Sequence, residues 1–314
     1  SHDVMIISKG VKIPNTEGSV LRLVTYNEYM GFDDVKRMSF RLPYNTYPQK
    51  EHEPIIRTME DWKSLKAYME KEQELYFTDE NIERIYGQFR KGHEAGDFSI
   101  RFRISGYFWT PRTLLGIAEH MMAFYDKPEL LHEINQYVTD RYIKYLDKVF
   151  DIIKPETILL EEDLSGVNGP MLSPDFFDEF VGAYYKQLFP FFKKKGVKNI
   201  FVDTDGDFNM LIPNFIEADV DGFLPMDVNA GMDIVAVREQ FPTLKFIGGF
   251  NKLEIAKGKE AIDAEFERLL PVIRQGGYVP GADHQVAPST SLENYKYYIV
   301  KLKEVMLQAG MGRE

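Results

Sequence analysis

Residues 98–115 read FSIRFRISGYFWTPRTLL: a β-rich run, a single glycine at 106, and then Thr110-Pro111, which would place a hydroxyl at a helix N-cap and a proline in its first turn. Five more β-rich runs follow: TILLEE from Thr157, KNIFVD from Lys198, DGFLPM from Asp221, LKFIGG from Leu244 and GGYVPG from Gly276. Each is followed by a helical pattern. Ser173-Pro174 and the capping box Thr290-Ser291-Leu292-Glu293 mark two further helix starts. Six βα units in a row, with strands of about five apolar residues, require a parallel sheet covered by helices, either a barrel or a doubly wound sheet. Gly106 stands alone after the first run, without the glycine-rich phosphate fingerprint of the doubly wound fold. The expectation is therefore an α/β fold, a TIM-type (β/α)8 barrel. A full ring needs eight strands, so its N-terminal strands are expected to be irregular or incomplete.

Upstream, the runs VMIIS, VKIP and SVLRLVTY between Val4 and Thr25 are broken by Asn15-Thr16-Glu17-Gly18, which reads as a surface hairpin. Residues 30–56 show no period and read as an extended loop. A helix starts at Thr58, with Asp61 as capping-box partner and Trp62, Leu65 and Met69 at helical spacing. The whole chain, 1–314, reads as one domain: a hairpin and loop region over 1–57, then helix and βα units over 58–314.

Composition narrows the function classes. Lys and Arg total 38 against 49 acidic residues, and a net charge of −11 disfavours nucleic acid and anionic membranes as partners. There is no cysteine, so neither a disulfide nor a thiolate metal site can form. No stretch of about 18 apolar residues occurs, and Ser1-His2-Asp3-Val4 lacks a signal-peptide pattern. A cytoplasmic location is the expectation.

In a (β/α) barrel the βα loops converge on one mouth, so chemistry is sought just after each apolar run. TILL is followed by Glu161, Glu162 and Asp163, NIFV by Asp203, Asp205 and Asp207, GFLPM by Asp227, and GGYVPG by Asp283 and His284. Any one of these acids could be a helix cap or a solvated turn residue, and Asp207 and Asp233 are read that way. As a set, four strands ending in acids, with a closing histidine, fit a site better. Clustered carboxylates either raise one another's pKa, giving a general acid, or bind a cation. His284 could be a ligand or an acid, whereas His2, His52, His93, His120 and His132 fall in a tail, a loop or helices and read as surface or packing residues. Tyr107-Phe108-Trp109 offers an apolar wall for a substrate, with core packing as the plain alternative. Arg101, Arg103 and Arg112 could pair with the acids or with a substrate carboxylate.

Several segments carry a family likeness. FRISGYFWTPRTLLG and EEDLSGVNGPMLSP resemble the corresponding segments of the uroporphyrinogen decarboxylase superfamily. NIFVDTDGD, VDGFLPMDVNAGMD, LKFIGGFNKLEIAKGKEAID and GGYVPGADHQVAPSTSLENYKYY follow in the family's order, over about residues 98–308. The resemblance implies a TIM-barrel enzyme, commonly a homodimer. True uroporphyrinogen decarboxylases of porphyrin metabolism use an N-terminal arginine-rich motif and an early aspartate, and neither is found here. The methyltransferase branch passes methyl groups to or from corrinoid proteins or coenzyme M. It uses zinc held by a His-x-Cys pair and a later cysteine, and those positions align with Asp203, Asp205 and the vicinity of Asp283 and His284.

Three functions follow from the likeness. The first is a metal-assisted methyltransferase acting on a small methylated substrate, with a corrinoid carried by a partner protein. In it Asp203, Asp205 and His284 would hold a divalent metal, zinc foremost; Glu162, Asp205 and His284 would be catalytic; and Tyr107, Trp109, Arg103 and Asp227 would bind substrate. The second is a uroporphyrinogen-type decarboxylase, a lyase working without metal. The third is a non-catalytic barrel that captures a tetrapyrrole or corrinoid.

Overall fold

The computed structural model describes residues 3–8, 24–25 and 54–310. The turn expected at Asn15–Gly18 and nearly all of the loop expected over 30–56 lie outside the described residues. All six expected βα runs form strands, and their contacts divide the chain into two compact units. The first holds residues up to Glu162 together with Asp175–Ile200, and the second holds Asp163–Pro174 and the residues from Phe201 onward.

In the first unit, β1 (Asp3–Ser8) pairs antiparallel with β2 (Val24–Thr25) through Asp3↔Thr25 and Val4↔Val24. Helices α1 (Met59–Tyr76) and α2 (Asp79–Glu94) follow. The expected capping box starts α1: the Asp61 N–H donates to Thr58 Oγ1 at 3.1 Å, and the Thr58 N–H donates to Asp61 Oδ2 at 2.9 Å. Strand β3 (Phe98–Ser105) buries Ile100, Phe102 and Ile104 at period two. It runs antiparallel to β1, with Asp3↔Arg103 and Ser8↔Phe98 in register. It runs parallel to β4 (Thr157–Glu161), with Arg101↔Thr157 and Ser105↔Glu161 in register. The N-terminal strands are thus irregular in direction, as the missing βα units implied.

Helices α3 (Trp109–Leu115), α4 (Ile117–Asp126) and the 25-residue α5 (Pro128–Ile152) connect β3 to β4. After β4, α6 (Pro174–Phe177) leads through a π-helical turn (Asp178–Gly182) into α7 (Ala183–Lys194). Apolar residues at helical spacing along α5, including Leu131, Ile134, Val138, Leu146 and Val149, are buried. Phe150 meets Phe102 edge-on at 5.4 Å, which ties α5 to β3. The expected cap at Thr110 is corrected: the N-cap is Phe108, two residues earlier, and α3 begins at Trp109, so Thr110 lies inside the helix and its hydroxyl caps nothing.

The second unit contains a short hairpin, β5 (Ser165–Gly166) with β6 (Gly169–Pro170), the part of β7 (Asn199–Asp203) from Phe201 onward, and the strands β8 (Gly222–Leu224), β9 (Lys245–Phe250) and β10 (Tyr278–Ala282) parallel to it. These four pair in sequence order, with Val202↔Phe223, Phe223↔Phe246 and Tyr278↔Phe246 in register. Between and after them lie α8 (Ile212–Glu217), α9 (Ile234–Gln240), α10 (Lys252–Lys257), α11 (Lys259–Gln275) and α12 (Leu292–Gly310). Phe223 packs with Phe208 at 4.9 Å and Phe215 at 5.1 Å, and Phe250 packs with Phe266 at 4.7 Å and Tyr298 at 4.9 Å. The start of α12 is also corrected by one residue: Ser291, not Thr290, accepts the N–H of Asn294, at 3.1 Å. No helix among the described residues is long and apolar enough to cross a membrane.

Candidate functional site

Glu162, one residue beyond β4, is fully buried in the first unit. Its Oε1 accepts the Tyr107 N–H at 2.9 Å and the Tyr185 hydroxyl at 2.6 Å, and its Oε2 accepts the N–H groups of Phe108 at 2.7 Å and Trp109 at 3.2 Å. The carboxylate therefore does for the start of α3 what the Thr110 hydroxyl does not, from a distant point in the chain. Gly106 makes room for it, since a Cβ there would meet the Glu162 carboxyl carbon at 2.1 Å. Burial pushes the Glu162 carboxyl up to about 7, against the hydrogen bonds from Tyr185 and the three backbone N–H groups, which favour its charged form.

The neighbouring candidates sit in the same packing. Tyr107 is buried, donates to or accepts from Thr139 at 2.8 Å, and stacks on Tyr184 at 5.3 Å. Trp109 is half-buried, with the Arg112 guanidinium 5.1 Å over its ring. Arg103 pairs with Glu161 at 2.5 Å. Tyr185, the hydroxyl partner of Glu162, escaped sequence reasoning. It lies in the aromatic run Tyr184-Tyr185, where nothing in the pattern separates a hydrogen-bonding ring from a packing one.

The second unit gathers a different group. Asp227, Asp283 and His284 each offer a ligand atom, and these atoms lie within 4.8 Å of one another. Asp283 is fully buried and fixed by its surroundings: Oδ1 accepts the Lys252 N–H at 3.1 Å, and Oδ2 accepts the Val228 N–H at 3.2 Å and the Asn229 amide at 3.3 Å. Burial raises its pKa above the ordinary carboxylate value, opposed by the Lys252 N–H and charge and by His284. His284 places Nε2 at 2.9 Å from Asp205 Oδ1 and Nδ1 at 3.9 Å from Asp227 Oδ1. The hydrogen bond to Asp205 is the main cause of its raised pKa, and partial burial opposes it.

Asp205 is itself held by a clip between two loops. The Asp163 N–H donates to the Asp203 carbonyl at 3.2 Å, the Leu164 N–H to Thr204 Oγ1 at 3.1 Å, the Asp205 N–H to Asp163 Oδ1 at 3.3 Å, and the Asp207 N–H to the Gly166 carbonyl at 2.9 Å. Gly206 permits this approach: it has φ +79°, and a Cβ there would lie 2.6 Å from the Ser165 carbonyl carbon. Asp203 ends β7 and stands outside the Asp227–Asp283–His284 group. Asp207 and Asp233 serve as local turn and cap residues, accepting the N–H groups of Asn209 at 3.0 Å and Val235 at 2.9 Å.

The donor chemistry of this group fits a divalent cation. Nδ1 of His284 and Oδ1 of Asp227 are both buried and find no hydrogen-bond partner among the described residues. Buried polar atoms are normally satisfied, so two facing ligand atoms left over mark a place for something positive or polar. One imidazole and two carboxylates suit zinc and harder divalent ions. Asn229 and Thr204 were missing from the residues singled out by sequence, and Asp283 was named there as a strand-end acid but not among the proposed ligands. Only Asp283 carried a signal there, as the acid preceding His284.

Comparison with known proteins bears on the family and the fold. A methyltransferase from Methanosarcina mazei has a similar fold, with 19% identity and a TM-score of 0.53, covering 71% of this chain. The match spans 64% of that enzyme's own length. A putative vitamin-B12-independent methionine synthase from Listeria monocytogenes is a more distant match, with 15% identity and a TM-score of 0.36, over 83% of this chain and 96% of that one. No curated protein matches the sequence. The family model "Uroporphyrinogen decarboxylase (URO-D)" matches residues 35–305, and the chain belongs to that family, whose fold is a TIM barrel.

Proposed function

We propose that this protein is a metal-assisted methyltransferase that moves a methyl group between a small methylated substrate and a corrinoid carried by a partner protein. The observation that carries the reading is the pair of partnerless buried ligand atoms, His284 Nδ1 and Asp227 Oδ1, beside buried Asp283. His284, Asp227 and Asp283 would hold a divalent ion, with zinc the first expectation. When bound, such an ion supplies Lewis-acid stabilisation of the heteroatom that gains or loses the methyl group. Asp283, fixed by two backbone N–H groups and an amide, keeps its carboxylate in place while substrate comes and goes.

The test uses methylcobalamin as the corrinoid probe and a small thiol or phenol as acceptor. The methyl group leaves cobalt for sulfur or oxygen, the acceptor loses its proton to solvent, and cobalt keeps the electron pair as cob(I)alamin. Zinc-loaded protein is expected to release cob(I)alamin, seen as loss of the methylcobalamin absorption band under anaerobic conditions. Asp227→Ala should slow that release at least about 100-fold, the scale on which metal sites lose activity when damaged. Turnover of uroporphyrinogen with no demethylation would overturn the reading in favour of a lyase.

A further inference from the structure

We infer that Asp205 is a positioning residue that fixes the tautomer of His284, and that the ligand nitrogen toward the Asp227–Asp283 group is Nδ1. The inference rests on the cation proposed above and assigns which atoms face it. Asp205 Oδ1 lies 2.9 Å from Nε2, and a carboxylate can only accept, so the proton sits on Nε2. Neutral imidazole carries one such proton, which leaves Nδ1 bare. That nitrogen is buried without a partner and faces Asp227 Oδ1 at 3.9 Å, a distance too long for a hydrogen bond between them. A histidine held by a carboxylate on one nitrogen, with the other aimed at a group of ligand atoms, is the arrangement that raises ligand basicity and sets ring orientation.

The backbone supports the assignment. Asp205 follows Thr204, whose hydroxyl accepts the Leu164 N–H, and its own N–H is taken by Asp163. Its carboxylate is thus delivered from a braced loop to the far side of the ring. This changes the role expected for Asp205 from sequence, where it stood among the metal ligands.

The experiment titrates zinc into chelator-treated protein by calorimetry and reads the His284 ring nitrogens by 15N NMR in the metal-free state. Wild type is expected to bind one zinc and to show the Nε2–H tautomer above the histidine pKa. Asp205→Ala should keep one-to-one binding with affinity about 10- to 100-fold weaker and should lose the tautomer preference, and Asp205→Glu should restore both in part. Asp227→Ala and His284→Ala should abolish stoichiometric binding. If Asp205→Ala also abolishes it, Asp205 is a ligand and the inference fails. If Asp205→Ala leaves affinity and tautomer unchanged, the inference fails while the cation site stands. If wild type binds no zinc, the function proposed above fails with it.

Discussion

Glu162, expected from sequence to be catalytic, also meets a structural need. A carboxylate one residue past a barrel strand reads as a catalytic acid, and its oxygens accept three consecutive N–H groups at the start of α3 and the Tyr185 hydroxyl. Glu162→Gln replaces one of those acceptor oxygens with a donor facing an N–H or O–H. It should cost about 2–4 kcal/mol in urea unfolding, the scale of leaving a buried group unsatisfied in a charge-assisted network. The same variant isolates a pH effect. The folded-state pKa of Glu162, about 7, lies above the ordinary 4.5, so the folded protein holds that proton more tightly than the unfolded chain. Its favourable contribution is fully present below about pH 4.5 and is lost as pH rises through 7. Wild-type stability should therefore fall across that window relative to Glu162→Gln, which has no such titration; a parallel pH dependence would contradict the assignment. At this scale the sequence was partly legible. His284, Asp205 and Asp227 stood out as polar residues at strand ends, but which atoms face one another depends on loops brought together from residues 163, 204, 227 and 283. No local pattern encodes that pairing.

Strands and helices were far more legible than side-chain partners, because their signal is periodic and local. All six βα runs formed where the apolar runs stood, since each strand carries its own burial pattern. Helix starts were less secure: α1 followed its capping box, but the caps of α3 and α12 lie two residues and one residue from the expected positions. In α3 the carboxylate of Glu162 replaced a local cap, and in α12 the neighbouring Ser291 competed for the role. Two substitutions test the elements directly. Gly206→Ala should loosen the clip between residues 163–166 and 203–207, because it forces a Cβ onto a left-handed φ and against the Ser165 backbone. The expected cost is at least about 1–2 kcal/mol from the backbone conformation alone, together with faster amide exchange at Leu164 and Asp207. Phe223→Ala empties the aromatic cluster with Phe208 and Phe215 on β8, and should cost about 3–5 kcal/mol in chemical denaturation. A change below about 1 kcal/mol in either variant would contradict the packing described.

At the scale of the whole chain, family membership and fold agree with the reading from sequence, while the proposed reaction rests on the second unit's polar group. The chain has no cysteine, so in the proposed function carboxylates and histidine would hold the metal in place of thiolates. The account turns on that substitution. The direct measurement is elemental analysis by inductively coupled plasma mass spectrometry, on protein loaded with zinc and then dialysed exhaustively without chelator. One zinc per chain in wild type, and less than about 0.1 in both Asp227→Ala and His284→Ala with folding retained by circular dichroism, is the predicted result. Wild-type protein that is fully folded and retains no stoichiometric divalent metal would contradict it.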